Sequence, residues 1–342
     1  MSLKSIAEEV GVSISTVSRV LNQENTSAAS KELQRKIRSV AQAQGYVPSH
    51  TAKRLKKSRT HTPSAPRTLC CLYACPPQET KDDPFYSKLL ESIEREALNH
   101  NYIVKYSFLP TALNHLDMVF DLPADSPEYV IVLGRFEQEL FDKFQKYFKK
   151  IVYIGLNTLD IPCDQIICNG FDMAHDAIFY LHSLNHRKIG FLGGHEARFR
   201  GYIASMQELG LTVDDTYIVN DIPLSMEGGY EGMLRLSEKA PDMTAVFCAN
   251  DMAAIGALRA CHDKGLRIPD DISLLGINDI ENIRYTTPAL SSIREPLDEM
   301  GRMGVNLLLD RIDRSHSSYV KVFFPFNIIK RESCKKLSPE KK

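Results

Sequence analysis

Several common sequence features are missing from this chain. Its 342 residues include no tryptophan, so ligand binding has to be followed with an external dye or by calorimetry. No apolar run approaches the roughly 18 residues of a transmembrane helix, and the N-terminus lacks the apolar segment of a secretory signal peptide. The 8 cysteines are scattered rather than paired. We therefore expect reduced, mostly buried thiols in a cytoplasmic protein.

Motifs of common enzyme classes are missing as well. The sequence has no G-x-S-x-G nucleophile turn, no G-x-x-x-x-G-K-[ST] phosphate loop and no H-E-x-x-H zinc motif. His182 and His186 are four residues apart on a predicted helix, but no third metal ligand accompanies them. We therefore expect a protein that is not an enzyme and that holds neither a metal nor a cofactor.

Charge is distributed unevenly along the chain. Residues 1–60 contain no aspartate and have a net charge of +7, whereas the whole chain has −1 and residues 61–342 therefore carry −8. A basic segment on an acidic body is typical of a protein that binds nucleic acid. A solvated basic face would not explain why the excess is confined to one end. The 43% hydrophobic content is sufficient for a buried core.

The first 44 residues have the pattern of three short helices. Apolar residues recur at helical spacing over Leu3–Val10, Gly11 ends that helix, and Ser13 can cap a second one. A third helix is predicted over Ser30–Gln44. The second helix has a polar outer face that suits base edges in a major groove, although any small three-helix unit shows the same pattern. The outward residues are Ile14, Ser15, Ser18, Arg19 and Asn22.

A short basic segment follows these helices. Pro48 breaks the preceding helix, and Ser49 can cap a new helix that is too short and too basic to be stable alone in water. Such a helix needs a partner, either DNA or the same helix of a second subunit. Leu55 is a large apolar residue among cations, which suits a wedge between base steps in a minor groove. The alternative is a disordered linker with an incidental leucine.

From Thr68 onward, apolar runs alternate with amphipathic helical patterns, which predicts parallel sheets covered by helices on both faces. The runs are TLCCLYAC, YIVKYSF, YVIVLG, KIVYIG, QIIC, KIGFLGG, AVFCAND and ISLLGIND. Roughly nine strands are many for one open sheet of this kind and suit two doubly wound units. Ligands of such sheets bind beyond the carboxyl ends of the strands.

Polar and aromatic side chains follow these strands. AVFCAND ends in Asn250 and Asp251, ISLLGIND ends in Asn278 and Asp279, and KIGFLGG leads to Arg198. The segment after the first strand adds Asp83, Phe85 and Tyr86. This set suits a polyhydroxylated ligand. Three alternatives stay open: the residues at 250 and 251 only cap a helix, those at 278 and 279 only shape a turn, and the arginine forms a surface salt bridge.

The segments VSISTVSRVLN and YVPSHTAKRLKK resemble the LacI/GalR family of bacterial transcription regulators, and the resemblance extends over almost the whole chain. It implies an all-α helix-turn-helix head and a hinge helix joined to an α/β core of two doubly wound parallel-sheet subdomains, as in periplasmic binding proteins. The implied domains are the head at 1–48, the hinge helix and linker at 49–67, and the effector-binding and dimerisation core at 68–342. Within the core, the N-subdomain takes about 68–165 and 293–325, and the C-subdomain about 166–292 and 326–342.

The resemblance also implies how the protein binds DNA. A homodimer places the helix after the turn in the major groove of a palindromic operator, while paired hinge helices insert a leucine into the minor groove. The major-groove residues are then Ser13, Ile14, Ser15, Thr16, Ser18, Arg19 and Asn22. The hinge residues are Leu55 as the wedge and Ala52, Lys53 and Lys56 as its flanks. The tail after Phe326 has no leucine heptads, which favours a dimer over a tetramer.

For the effector, the resemblance implies contacts from Arg198 in R-F-R-G-Y, from Asn250 in the A-N-D motif and from the G-x-D-[DN] motif, which here reads G-I-N-D. Leu224 falls near a position where some members place an aromatic residue, so a stacking ring would come from Phe85 or Tyr86.

Three segments, DDPFY, GIND and GVNLL, most resemble the branch that controls galactose and galactoside operons. We therefore predict a repressor of a sugar-utilisation operon with a galactoside as effector. A purine or nucleoside is the second choice, and a metabolite acid could also use Arg198. A solute-binding protein core without a DNA role is the alternative to a regulator.

Overall fold

The structure is a computed structural model that describes residues 3–14, 16–17, 20, 30–43, 67–75, 83–108, 128–135, 138–313 and 316–338. It divides into two compact units, Met1–Ala65 and Pro66–Lys342, and each is described by itself. No helix among these residues is long and apolar enough to cross a membrane.

The N-terminal unit has a small apolar core between helices α1 (Leu3–Val10) and α2 (Lys31–Ala43). Gly11 adopts a φ of +77° and its N–H donates to Ala7 O at 3.0 Å, which ends α1 as the sequence predicts. Ser30 caps α2, since its Oγ accepts the N–H of Leu33 at 3.3 Å. The buried residues of the core are Ile6, Ala7, Val10, Val17, Val20, Ile37 and Ala41.

The second unit alternates strands and helices. Its strands are β1 (Arg67–Ala74), β2 (Tyr102–Phe108), β3 (Tyr129–Gly134), β4 (Lys150–Gly155), β5 (Asp164–Ile167), β6 (Ile189–Leu192), β7 (Ile218–Val219), β8 (Ala245–Cys248), β9 (Ser273–Ile277), β10 (Ser291–Arg294), β11 (Lys321–Phe323) and β12 (Asn327–Ile329). Its α-helices are α3 (Pro84–Asn99), α4 (Gln138–Phe144), α5 (Gly170–Ser183), α6 (Ala197–Glu208), α7 (Met226–Lys239), α8 (Asp251–Asp263) and α9 (Leu297–Ile312). Short 3-10 helices lie at Asp215–Tyr217 and Glu281–Arg284.

The strands form two sheets with the same internal order. The first runs β11-β5-β4-β3-β1-β2 and the second runs β12-β10-β9-β8-β6-β7. In each sheet the first strand pairs in parallel with both the second and the third, which is the arrangement of a doubly wound fold. Neighbouring strands are parallel throughout, except that β12 pairs with β10 in the antiparallel direction. The predicted fold class is confirmed.

Burial explains why the apolar runs form these strands. The central residues of β3 and β4 are buried, as is every residue of β5, β6, β8 and β9, because helices cover both faces of each sheet. Strands β7, β10, β11 and β12 were not predicted, since each has only two to four residues and no long apolar run. Helix α4 buries Leu140, Phe141 and Phe144.

The chain passes between the two sheets at three places. It leaves the first sheet after β5 and returns after β10 through α9, which packs on β4 and β5. It leaves the first sheet a second time between β11 and β12. The subdomain limits proposed from the sequence, 165/166 and 292/293, fall inside β5 and β10. The three crossover segments are therefore the only covalent connections between the two halves of the core among the residues that the structure describes.

Candidate functional site

A cleft lies at the carboxyl ends of the strands of both sheets, within the unit Pro66–Lys342. Its lining consists of Asp83, Phe85, Tyr86, Gly134, Arg135, Gly155, Leu156, Asn157, Glu196, Arg198, Leu224, Asn250 and Asn278. All effector residues predicted from the sequence are in this set except Asp279.

One wall of the cleft is the start of helix α3. Asp83 is only 5% exposed, and its Oδ1 accepts the N–H of Phe85 at 2.9 Å, so this carboxylate caps the helix at the same time as it lines the cleft. Pro84 occupies the first helical position, where its missing N–H costs no hydrogen bond. The cap and the proline hold the Phe85 ring at the cleft wall.

Tyr86 has a different role from Phe85. Its hydroxyl lies 3.1 Å from the Sγ of Cys75, and its ring packs edge-on against Phe85 with centroids 5.1 Å apart. Burial, followed by the neighbouring thiol, raises the pKa of Tyr86 well above its usual value, so the phenol stays neutral. Gly134 has a φ of +97°, and a Cβ there would lie 2.2 Å from the Cys75 Sγ. The close approach of β1 and β3 at the cleft therefore requires glycine at this position.

Arg198, at the start of α6, connects several parts of the cleft. It is 6% exposed, which excludes a role in a surface salt bridge. One Nη donates to Ala249 O at 2.6 Å at the end of β8, and the other forms an ion pair with Glu196. The second carboxylate oxygen of Glu196 lies 3.8 Å from the Nε of Arg135, beyond β3 of the other sheet. Guanidinium and carboxylate groups therefore bridge the two subdomains across the cleft.

Asn250 both caps a helix and lines the cleft. Its Oδ1 accepts the N–H of Ala253 at 2.9 Å, and its Nδ2 donates to Leu224 O at 3.1 Å. The capping alternative therefore describes a real role of this residue. The second bond also fixes Leu224, whose side chain supplies an apolar surface where some members of the family place a ring.

Asn278 lines the cleft in a backbone conformation that is rare for a residue with a side chain. Its φ is +108°, its N–H donates to Ile293 O at 2.8 Å, and its Nδ2 donates to the Oε1 of Glu295 at 3.2 Å. Strained residues of this kind are concentrated in ligand sites, where the surrounding structure holds them in place. The turn at the end of β9 therefore presents an amide to the cleft.

Asp279 does not line the cleft, which differs from our expectation. Its φ of +46° continues the turn. Its carboxylate forms ion pairs with Arg294, at 2.5 Å, and with Arg331, and Arg284 lies 3.8 Å away. These guanidiniums occupy the carboxylate oxygens. The position of Asp279 supports the alternative that it shapes the turn, and we no longer include it among the effector contacts.

Sequence reasoning missed Arg135, Asn157 and Glu196. Arg135 directly follows the predicted run YVIVLG, and Asn157 lies two residues after KIVYIG, so the rule that found Asn250 applies to both. Glu196 lies in the segment HEAR beside Arg198, and only its buried ion pair distinguishes it from an ordinary surface carboxylate.

In the N-terminal unit, the start of the second helical segment has the predicted orientation. Ser13 Oγ accepts the N–H of Thr16 at 3.2 Å, which is a helix cap. Ile14 is 47% exposed, whereas Val17 and Val20 are buried in the core. Other predicted DNA contacts, Ser15, Ser18, Arg19, Asn22, Ala52, Lys53, Leu55 and Lys56, lie outside the described residues.

Two family models match the chain. Residues 2–49 match "Bacterial regulatory proteins, lacI family", and residues 178–334 match "Periplasmic binding protein-like domain". Among curated proteins, the chain is 28% identical over 351 residues to the HTH-type transcriptional repressor PurR of Haemophilus influenzae, with 98% of this chain and 99% of that protein covered. It is also 28% identical to PurR of Escherichia coli O139:H28, covering 91% of this chain and 90% of that protein. These relatives give no support to the galactose-operon branch.

Solved structures show the same fold over nearly the whole chain. A transcriptional regulator CelR–cellobiose complex aligns with a TM-score of 0.72 at 22% identity, covering 97% of this chain and 99% of that one. A lac repressor dimer bound to operator and the anti-inducer ONPF aligns with a TM-score of 0.69 at 21% identity, covering 98% and 99%. At such identities the likeness establishes the fold.

Proposed function

Because this chain belongs to the LacI family of bacterial regulatory proteins, we propose that it is a repressor that binds a palindromic operator as a homodimer and responds to a small effector in the cleft. The observation that carries the effector site is the buried ion pair of Arg198 and Glu196, which approaches the half-exposed Arg135 of the other subdomain to 3.8 Å. A molecule that bonds to these groups interacts differently with different subdomain angles, which is the requirement for control by a ligand. The protein then acts in the cytoplasm, where its operator is.

On the DNA side, the proposal assigns base contacts to the cap and exposed face of the second helical segment. The assigned residues are Ser13, Ile14, Ser15, Thr16, Ser18, Arg19 and Asn22. The exposed isoleucine supplies an apolar surface for a thymine methyl group, while serine hydroxyls and the guanidinium supply hydrogen bonds. The hinge residues Ala52, Lys53, Leu55 and Lys56 are assigned to the minor groove.

This half of the proposal is tested by selection from a random DNA library with the purified full-length chain. We expect enrichment of a palindrome whose half-sites mirror the two-fold symmetry of the dimer. Enrichment of single, unrepeated sites would contradict dimeric operator binding, and the absence of enrichment would contradict a sequence-specific regulator.

For the effector, the shared name of the curated relatives moves a purine from second to first choice. Phe85 offers a ring face and Leu224 an apolar surface, while Arg198, Asn278 and Asn157 offer donors and acceptors for the edge of a nucleobase. A galactoside is the second candidate. The amides and carboxylates of the cleft also suit several hydroxyl groups, and Phe85 would then supply the stacking ring that Leu224 lacks.

Isothermal titration calorimetry of the full-length chain distinguishes the two classes. Hypoxanthine and guanine are compared with galactose and a β-galactoside, and operator affinity with and without each ligand gives the sign of the control. Arg198→Lys keeps the charge but loses the forked geometry, so we expect the affinity for the ligand that binds to fall at least about tenfold.

Arg200→Lys is the matched control, because Arg200 lies two residues away on the same helix and is exposed. Unchanged affinity in Arg198→Lys, or an equal loss in both variants, would remove Arg198 from the site. Binding of galactosides but not purines would return the galactoside to first place.

A further inference from the structure

Glu295 is an unusual residue beside the cleft. It directly follows β10, on the crossover that returns the chain from the second sheet to α9. Burial, and then the nearby Glu295 carboxyl, raises the pKa of the Cys168 thiol on the first crossover. The Sγ of Cys168 donates to Phe324 O at 3.5 Å on the third crossover. Glu295 therefore lies where the three connections between the subdomains come together.

The carboxyl group of Glu295 is buried without a matching cation. The residue is 3% exposed, and its Oε1 accepts one N–H from Asn278 at 3.2 Å. Within the described part of the chain, its Oε2 has no hydrogen-bond partner. A carboxylate in such a place is costly, whereas a protonated acid is not, because burial penalises only the charged form. Burial accordingly raises the pKa of Glu295 to about 8.

The charged groups around Glu295 are already engaged elsewhere. Arg198 favours its ionised form but is bound to Glu196 and to Ala249 O, and Asp279 opposes ionisation while its own carboxylate is held by arginines. Asp251, at the start of α8, has its pKa raised well above the usual value, first by burial and also by Glu295. The thiol of Cys168 carries no charge. Around this carboxyl, therefore, the structure offers no cation that is not already paired among the described residues.

We propose that Glu295 is a positioning residue that is held as a neutral carboxylic acid, orients the Asn278 amide toward the effector, and permits tight effector binding only while it keeps its proton. The proposal rests on the proposed function, since it requires an effector in the cleft. Its geometric basis is the bond from Asn278 Nδ2 to Oε1, which leaves the Oδ1 acceptor of that amide for the ligand.

Two effects make ionisation unfavourable for binding. A carboxylate at Glu295 would attract Arg198, the cation that favours its ionised form, away from Glu196 and Ala249 O at the cleft wall. An effector also displaces water from the cleft, which increases the cost of a buried charge beside it. Effector affinity is therefore expected to be constant at low pH and to fall as Glu295 loses its proton, by about tenfold between pH 7 and pH 9.

Calorimetric titration of the full-length chain with hypoxanthine from pH 6.5 to pH 9 tests this coupling. Glu295→Gln is a neutral replacement of similar shape and retains the acceptor for Asn278, so its affinity should match wild type at low pH and should not fall at high pH. Glu299→Gln is the matched control, since Glu299 is exposed at the start of α9. This variant should lose affinity with pH as wild type does.

Urea unfolding without ligand gives a second, independent readout. The pKa of Glu295 is higher in the folded chain than in the unfolded chain. The stability that Glu295 contributes is therefore complete below the pKa that it has in the unfolded chain, and it is lost as the pH rises through about 8. Wild type should therefore become less stable relative to Glu295→Gln across this range. The Glu299→Gln variant should follow wild type.

The outcomes separate this inference from the proposed effector class. Parallel stability curves for wild type and Glu295→Gln would overturn the inference whatever ligand binds. Hypoxanthine affinity that falls equally in both proteins, or in neither, would also overturn it. Absence of hypoxanthine binding at every pH would instead overturn the purine assignment, while the ligand-free curves still decide the protonation of Glu295.

Discussion

Asp164→Asn tests the ion pair that joins the first sheet to the end of α9. The Oδ1 of Asp164 accepts the Nη2 of Arg311 at 2.6 Å and the N–H of Val320 at 2.9 Å. Its Oδ2 accepts the Nε of Arg311 at 2.8 Å and lies 3.2 Å from the His316 ring. Both members of the ion pair are buried. The carboxylate therefore holds β5, α9 and the segment leading to β11 together.

The expected loss follows from the charge that the substitution leaves behind. Asparagine has the same shape but no charge, and its amide N–H group would face a guanidinium. Arg311 would remain buried, and its partners would be the asparagine oxygen, the carbonyl oxygens of Ser317 and Ser318 and the Tyr319 ring, all of them neutral. Removing one member of a buried pair typically costs about 3–5 kcal/mol, and we expect a decrease of that size in the free energy of unfolding.

Urea denaturation followed by circular dichroism measures this change. Asp221→Asn is the matched control, because Asp221 also makes two hydrogen bonds to one guanidinium, the two Nη atoms of Arg235, but on the surface, where we expect a loss of less than about 1 kcal/mol. The double variant Asp164→Leu/Arg311→Met should recover most of the stability, since it removes both charges. A loss in Asp164→Asn no larger than in Asp221→Asn would refute the reasoning.

Three further predictions concern other parts of the chain. Leu55→Ala should weaken operator binding, measured by gel shift, with little effect on effector affinity, measured by calorimetry. An equal loss of both affinities would contradict the hinge assignment. Ser30→Ala should lower the stability of the N-terminal unit by about 1 kcal/mol in thermal unfolding, because it removes the cap of α2, whereas the exposed Ser39→Ala should not. Gly276→Ala should lower the free energy of unfolding in urea by about 1–3 kcal/mol. The added Cβ would lie 2.2 Å from Asp251 Oδ1, which accepts a hydrogen bond from Ser292 at 2.7 Å. An unchanged free energy of unfolding would show that the Asp251 carboxylate moves freely.

Most residues of the cleft could be located from the sequence, because ligands of parallel sheets bind beyond the carboxyl ends of the strands. Arg198, Asn250 and Asn278 follow buried parallel strands, and the carboxyl ends of such strands meet at one edge of each sheet. Asp279 shows the limit of this rule. Adjacent residues in a turn with positive φ direct their side chains differently, and the sequence G-I-N-D does not reveal which one faces the ligand.

Glu295 could not be identified from the sequence for a different reason. It follows β10, a strand of four residues that reads SSIR and has no long apolar run. The unpaired oxygen becomes visible only once the three crossovers are brought together in space. Long-range contacts of this kind depend on topology, whereas a helix such as α7 depends on local spacing and a serine cap.

Under the proposed function, the crossovers provide a physical route from a ligand in the cleft to the angle between the two halves of the core. The two halves of the core are joined by three segments beside the cleft, so a change in the angle between them is concentrated at Cys168, Glu295 and Phe324. The cleft-lining Asn278 is bonded to Glu295 on the second crossover, and Arg198 is bonded to Ala249 O at the end of β8, so a ligand in the cleft would lie beside these segments. An effector can shift the equilibrium only by its difference in affinity between the two angles, typically about 1–3 kcal/mol. One or two hydrogen bonds to groups that bridge the subdomains are sufficient to supply a difference of that size.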